Sequence, residues 1–426
     1  MDNIADQLSL NLRSLFISVS RALDSVGVDD SYHGLRVGYI SYRCAQQLGW
    51  TEEQAQLAFY AGIVHDCGVS HGQELTSLLG TLVPDDTYAH CYKGHQLLQA
   101  CQPLASFAPA ILHHHTWWQE LKTNTTLSEY DKQLAALVLV ADRTDYLLCN
   151  TERDAFGNFT LAKRREIAEK LTSCADGMLN PAMVSAIARQ VDCDDFWFAL
   201  VPRHIELIAS QFNDVTFMMR KLKLDEIIQL AEFIAAIVDA KSPFTFHHSR
   251  HVALLSEFLA GELGYSDNAQ RLLYLAGLLH DIGKLRTPEP VLHKPGKLTE
   301  QEYLCIKRHA TDSRFALMHL FGNNKVVDWA SSHHERLDGS GYPMGLTAEQ
   351  LDQPSRIIAV ADVFQAMTQS RPYRDGMSLE QALDTMAKMV QEQQLDVDVY
   401  RCLWANAEHC FQLSTQPQAV LDKLRA

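Results

Sequence analysis

AGIVHDCG at residues 61–68 and AGLLHDIG at residues 276–283 write one pattern twice, 215 positions apart. Working outward, His33 stands before the first as His248 stands before the second, again 215 apart. Downstream, His90, His114 and His115 recur 219 positions later as His309, His333 and His334, and Asp142 recurs 220 later as Asp362. Local context travels with them: LVADRTDYL (139–147) matches IAVADVFQAM (358–367). Seven metal-capable side chains in one order at a nearly constant offset define an internal repeat. The chain therefore reads as two copies, residues 1–220 and 221–426.

Each copy reads as helical. In LDEIIQLAEFIAAIVDA (224–240) apolar residues recur at three- and four-residue steps, and clear strand alternation is scarce. The expected fold is all-α, two tandem helical domains, with Pro and Gly gathered in loops at 287–296 and 338–345. The helix at 224–240 opens the second copy. By analogy alone it is also the element expected to bridge the copies or to pair two chains as a homodimer.

Composition narrows the partners. Lys and Arg number 37 against 52 Asp and Glu, a formal charge of −15, which argues against a duplex nucleic acid partner. A small anion remains compatible if metals and a few cations reverse the sign in one pocket. The first residues lack the apolar run of a signal peptide, and no apolar stretch reaches membrane-spanning length. The ten cysteines show no CxxC pairing and read as reduced thiols of a cytoplasmic protein.

The chemistry concentrates in the second copy. His280 and Asp281 end the apolar run LLYLAGLLHD, and an aspartate can bridge two cations through its two oxygens. With His248, His309, His333, His334 and Asp362, the donors exceed one tetrahedral site and suit two transition metals, Fe or Mn first, then Ni or Zn. Such a pair suits phosphodiester hydrolysis. Asp281 and Lys284 are the expected catalytic residues, with Lys284 placed one helical turn after His280 to meet phosphate. Arg371 and Arg374 in SRPYRDG supply guanidinium forks. Tyr342 and Gly341, in HHERLDGSGYP (333–343), are the expected substrate contacts, with Gly339 and Gly341 allowing positive φ and close backbone approach.

HDIGK (280–284), HKPGKLTEQE (293–302), HHERLDGSGYP and ADVFQAMTQSRPYR (361–374) together resemble the HD-GYP phosphodiesterases, a subgroup of the HD superfamily of metal-dependent phosphohydrolases. The resemblance covers roughly residues 225–410. It implies an all-helical HD-type fold, a two- or three-metal centre and hydrolysis of a cyclic dinucleotide, cyclic di-GMP or 3′,3′-cyclic GMP-AMP, to a linear product. It also implies that His248, His280, Asp281, His309, His333, His334 and Asp362 are the ligands and that Lys284 and Arg371 bind phosphate. Two positions depart from the pattern: Phe244 stands where some members place a third-metal Glu, and Ser313 stands where Gly is usual. The alternatives are a cyclic-dinucleotide-binding signalling module without turnover and a phosphohydrolase of other nucleotides.

The first copy keeps His33, His65, Asp66, His90, His114, His115 and Asp142, a second candidate metal site. It lacks the rest: Val69 replaces Lys284, HHTWWQELK (114–122) replaces the GYP loop, and no RPYR follows. It resembles an HD domain outside the GYP subgroup. Three readings stand: a metal-bound sensing or supporting domain, a second hydrolase, and a scaffold without metal. Trp117 and Trp118 read as packing residues; Cys67, Cys91 and Cys305 read as small buried residues.

Overall fold

The computed structural model describes residues 8, 10–24, 32–69, 78, 80–84, 87–212, 215, 221–240, 248–294, 296–370 and 375–416. Among them every regular element is helical, and β-bridges occur only as two isolated pairs, Ala175 with Leu179 and Asp338 with Thr347. The all-α expectation is met. The chain divides into two compact units, Leu12–Lys221 and Leu222–Ala426, and Asn11 joins the second, its amide donating to the Leu320 carbonyl at 2.9 Å.

The first unit is organised by six helices: α1 (Leu12–Asp24), α2 (His33–Gln47), α3 (Glu52–Val64), α4 (Tyr88–Ala100), α5 (Ala108–Leu112) and α6 (Glu129–Cys149). Thr51 and Gln54 form a capping box that starts α3, and the Ser128 hydroxyl accepts the Asp131 amide to start α6. Helices α2 and α3 run against each other and both pack on α6. Their crossing has no room for a side chain: a Cβ on Gly62 would lie 2.7 Å from Gly38 Cα.

The second unit repeats this arrangement with α7 (Leu224–Ala240), α8 (His248–Glu262), α9 (Asp267–Leu279), α10 (Glu300–Phe321), α11 (Lys325–Ser331) and α12 (Gln353–Thr368). Here α8 and α9 pack together and on α12, and a Cβ on Gly277 would lie 2.7 Å from Ala253 Cα. The Ala-Gly of each octapeptide is thus the point where two backbones touch. Helix α7 buries Ile227, Leu230, Ala231 and Ile234 and packs on α8 and α9. Nearly all of α9 from Leu272 to Leu279 is buried, so its C-terminus ends in the middle of the unit rather than at its surface.

One sequence expectation needs correction. Helix α9 ends at Leu279, His280 caps it, Asp281 leaves helical geometry at φ −100° and ψ 8°, and Ile282–Arg286 is a 3₁₀ turn. Lys284 therefore approaches from this tighter turn and not from the His280 face of a continuing α-helix. Among the described residues, no helix is long and apolar enough to cross a membrane.

Candidate metal centre and active site

Three helix ends and two helix interiors bring the second-unit residues together. His248 opens α8, His280 caps α9, His309 lies within α10, His333 and His334 follow α11, and Asp362 lies within α12. Asp281 sits between two groups of donors. Its Oδ2 is 3.2 Å from Nε2 of both His248 and His280; its Oδ1 is 3.4 Å from His309 Nε2 and 3.8 Å from His333 Nε2. Asp362 spans the same two groups, with Oδ1 3.4 Å from His248 Nε2 and Oδ2 3.7 Å from His334 Nδ1.

The ring nitrogens facing inward are fixed by those facing outward. Nδ1 of His280, His309 and His333 meets the carbonyls of Gly277, Ile306 and Ala330 at 2.7, 2.6 and 2.7 Å. Each bond occupies the Nδ1 proton and turns Nε2 toward Asp281. His248 Nδ1 is held by the amide oxygen of Gln365, which is fully buried one turn beyond Asp362.

Electrostatics suit the same purpose. Burial alone would raise the Asp281 carboxyl, but the charges of His280 and Lys284 and the bonds from His248 and His280 hold it well below the usual range. Asp362 is also held well below it, by His248 and the surrounding histidines against its burial. Burial pushes His334 down to about 3 and His309 and His333 down as well, so these rings are neutral. His248 goes the other way: burial lowers it, but its bonds to Asp281 and Asp362 outweigh that and raise it to about 9. Asp281 Oδ1 is a buried, ionised oxygen with no hydrogen-bond donor. A buried carboxylate oxygen without a donor, faced by the neutral rings of His309 and His333, fits a bound cation, and two donor groups sharing one carboxylate fit two.

Around this centre stand Ser313 and Asp239, which the sequence reading did not assign, and Lys284, which it did. The Ser313 hydroxyl accepts the Gly283 amide at 2.9 Å and donates to the His280 carbonyl at 2.7 Å, clasping the turn to α10. The Asp239 carboxylate accepts the amide and hydroxyl of Ser249 at 3.3 and 2.9 Å, fixing the start of α8 beside His248. Lys284 donates to Asp281 Oδ2, and its side chain is 22% exposed.

The loop after the paired histidines is built from its backbone. Gly339 has φ 80°, as its sequence suggested. Gly341 is not at positive φ; its requirement is steric, since a Cβ there would lie 2.4 Å from the Arg336 amide nitrogen. Tyr342 packs its ring on His334 at 4.6 Å. Buried Glu335 accepts the amides of Met344 and Leu346 at 2.7 and 2.9 Å. Replacing Glu335 by Gln removes one acceptor and the charge, a loss of about 1.5–3 kcal/mol for a charged hydrogen bond. Hydrogen exchange at the Met344 and Leu346 amides should accelerate by about tenfold or more; unchanged protection would refute Glu335 as the anchor.

The first unit builds a near-copy. Asp66 Oδ2 is 3.3 Å from His65 Nε2 and 3.8 Å from His33 Nε2, while Oδ1 is 3.6 Å from His90 and 3.9 Å from His114. Nδ1 of His65 and His114 again meets carbonyls, those of Gly62 and Ile111, both at 2.7 Å. Asp66 Oδ1 is likewise buried without a donor. Two differences stand out. His33 Nδ1 meets a carboxylate, Asp145 at 2.8 Å, where His248 meets an amide, and Arg36 also pairs with Asp145, at 2.5 Å. Asp142 Oδ2 accepts Arg143 at 2.7 Å, whereas Asp362 is followed by Val363.

Other sequence expectations fall out as follows. Arg371, Arg374 and Phe244 lie outside the described residues. His248 enters the cluster and His251 does not; His247 lies outside the described residues. Trp117 is 42% exposed and Trp118 half-buried, so neither lies in the core of its unit. Cys67 and Cys91 are buried, while Cys305 is half-buried.

Two histidine and aspartate clusters, each at the junction of equivalent helices of its own unit, define a tandem HD-domain protein, a class of metal-dependent hydrolases. Residues 31–148 and 232–399 each match the HD domain family. The 3′3′-cGAMP-specific phosphodiesterase 1 of Vibrio cholerae is 47% identical over 414 residues, 97% of this chain and 96% of that one. This chain belongs to the HD-domain phosphodiesterase family. A cyclic di-GMP phosphodiesterase of Thermotoga maritima is 36% identical over 162 residues, covering 37% of this chain and 44% of that protein. The crystal structure of a cyclic GMP-AMP phosphodiesterase of V. cholerae, V-cGAP3, shares the fold with a TM-score of 0.62 at 22% identity, covering 94% of this chain and 98% of that one.

Proposed function

We propose that the second unit hydrolyses a cyclic dinucleotide, with 3′,3′-cyclic GMP-AMP as the substrate, to a linear dinucleotide. The observation that carries this reading is the full-length similarity to the V. cholerae 3′3′-cGAMP-specific enzyme, combined with a second-unit cluster that has Lys284 beside Asp281. His248, His280, Asp281, His309, His333, His334 and Asp362 would hold two divalent metals, Fe or Mn by donor chemistry. When bound, such ions activate water and offset phosphoryl charge.

The remaining steps belong to side chains. Lys284 offers its ammonium to a non-bridging phosphate oxygen. Glu335 holds the loop that packs Tyr342 against His334. Water adds to phosphorus, the bond to the 3′-oxygen breaks, and that oxygen leaves with a proton, opening the ring. In the first unit, Val69 and the Arg143 clamp on Asp142 support a metal-holding domain without turnover. The ten free thiols suit a reducing, cytoplasmic setting.

Protein purified without oxygen and loaded with Fe(II) or Mn(II) is expected to convert 3′,3′-cyclic GMP-AMP to a linear product, resolved by chromatography, with a higher kcat/KM than for cyclic di-GMP. Cleavage of cyclic di-GMP alone would reassign the substrate. Cleavage of neither by metal-loaded protein would end the proposal.

A further inference from the structure

Lys307 lies on α10 two residues before His309 and is half-buried. Its ammonium sits 5.0 Å from the centroid of the Tyr342 ring and 5.7 Å from that of Tyr303. Tyr342 in turn packs on His334 at 4.6 Å and meets His309 edge-on at 6.4 Å. A single ring therefore separates this ammonium from the histidine cluster.

Neighbouring cations have partners of their own, and Arg336 donates to the His333 and Glu335 carbonyls at 3.2 and 2.7 Å. Lys284 is on Asp281, Arg286 and Arg308 share Asp312 at 3.1 and 3.3 Å, and Lys294 is on Glu302 at 2.7 Å. Lys307 makes no ion pair among the described residues; it rests on two aromatic faces. A partly desolvated ammonium beside rings but without a carboxylate is disposed to take an anion.

A cyclic dinucleotide carries two phosphodiesters on opposite edges of its ring. Hydrolysis engages one, at the cluster beside Lys284. The other stays intact and brings its charge to a point set off from the cluster. We infer that Lys307 binds this non-reacting phosphate and so selects substrates with two phosphodiesters; the inference rests on the cyclic-dinucleotide reading above. Tyr342 then acts as the spacer between the two phosphate positions, not as a platform for a base.

The test compares wild type with Lys307→Ala, Lys307→Met and Lys307→Arg on 3′,3′-cyclic GMP-AMP and on bis(p-nitrophenyl) phosphate, which has a single phosphodiester. Ala and Met are expected to raise KM for the cyclic dinucleotide by about tenfold, the size of one charge-assisted hydrogen bond, while kcat changes by less than about twofold. The preference for the cyclic dinucleotide over the single diester should fall by the same factor, and Arg should restore it. Wild-type behaviour of Lys307→Met would assign Lys307 to packing on the tyrosines and overturn the inference. Equal loss on both substrates would overturn it too. Wild-type protein that cuts the single diester but no cyclic dinucleotide would defeat the parent reading, a result distinct from either.

Discussion

Asp281→Asn is expected to lower turnover of the cyclic dinucleotide by on the order of 10³-fold or more, because loss of an outer partner of a ligand already costs about 10–100-fold. Asp281 is the residue both donor groups share, with one oxygen toward His248 and His280 and the other toward His309 and His333. Asparagine keeps the size but presents an NH₂ to one group, where it donates to imidazole lone pairs that a cation would use and repels the cation itself. The effect should therefore include metal content, read by elemental analysis of the purified variant. Asp66→Asn makes the same change in the first unit and is expected to leave turnover within about threefold, since Lys284 has no counterpart there. Near-wild-type turnover in Asp281→Asn, or equal collapse in Asp66→Asn, would break the assignment of chemistry to the second unit.

The second large effect comes from a methyl group. In Gly283→Ala the new Cβ would sit 2.0 Å from the His309 carbonyl oxygen and 2.5 Å from the Ser313 amide nitrogen, both backbone atoms of α10. Neither atom can rotate away, so the turn and the helix must separate. Overpacking against backbone costs about 3 kcal/mol or more, which for a unit of this size lowers the thermal midpoint by about 6–12 °C. Separation would also break the Ser313 clasp and displace His309, and a displacement of about 1 Å costs on the order of 10²-fold in rate. Gly177→Ala is the control: its Cβ would meet nothing within 4 Å, so its stability should change by less than about 0.5 kcal/mol. A Gly283→Ala protein that melts with wild type would show that the turn and α10 are not in contact.

What the sequence made legible was whatever repeated. The order of seven donors and the Ala-Gly before each His-Asp pair both mapped onto contacts, because each is written twice in one local pattern. Residues that position those donors were harder to see. Ser313 registered only as a departure from glycine; its clasp depends on Gly283, thirty residues away in sequence and adjacent only after folding. Glu335 looked like one charge among many, and its amide partners lie nine and eleven residues on. Gln365 and Asp145 carried a signal that went unread: each stands three residues after the aspartate of its own repeat, one helical turn along α12 and α6. Lys284 was expected on the His280 face of a continuing helix, but that helix has already ended and the 3₁₀ turn sets Lys284 on Asp281.

The bonds from histidine rings to carbonyls carry a consequence for how these two copies drifted apart. His65, His114, His280 and His333 are each tied to the last turn of the helix that precedes them. A residue inserted in such a helix would swing the ring by about 100° and draw it out of the cluster. Insertions and deletions are therefore confined to stretches between anchors, and the numbering records it. His33 to Asp66 and His248 to Asp281 have equal length, as do His90 to His115 and His309 to His334; the copies differ by four residues between Asp66 and His90 and by one between His115 and Asp142. The lineage that duplicated this chain was free to lengthen its loops and left untouched the two intervals that contain a ring-to-carbonyl anchor.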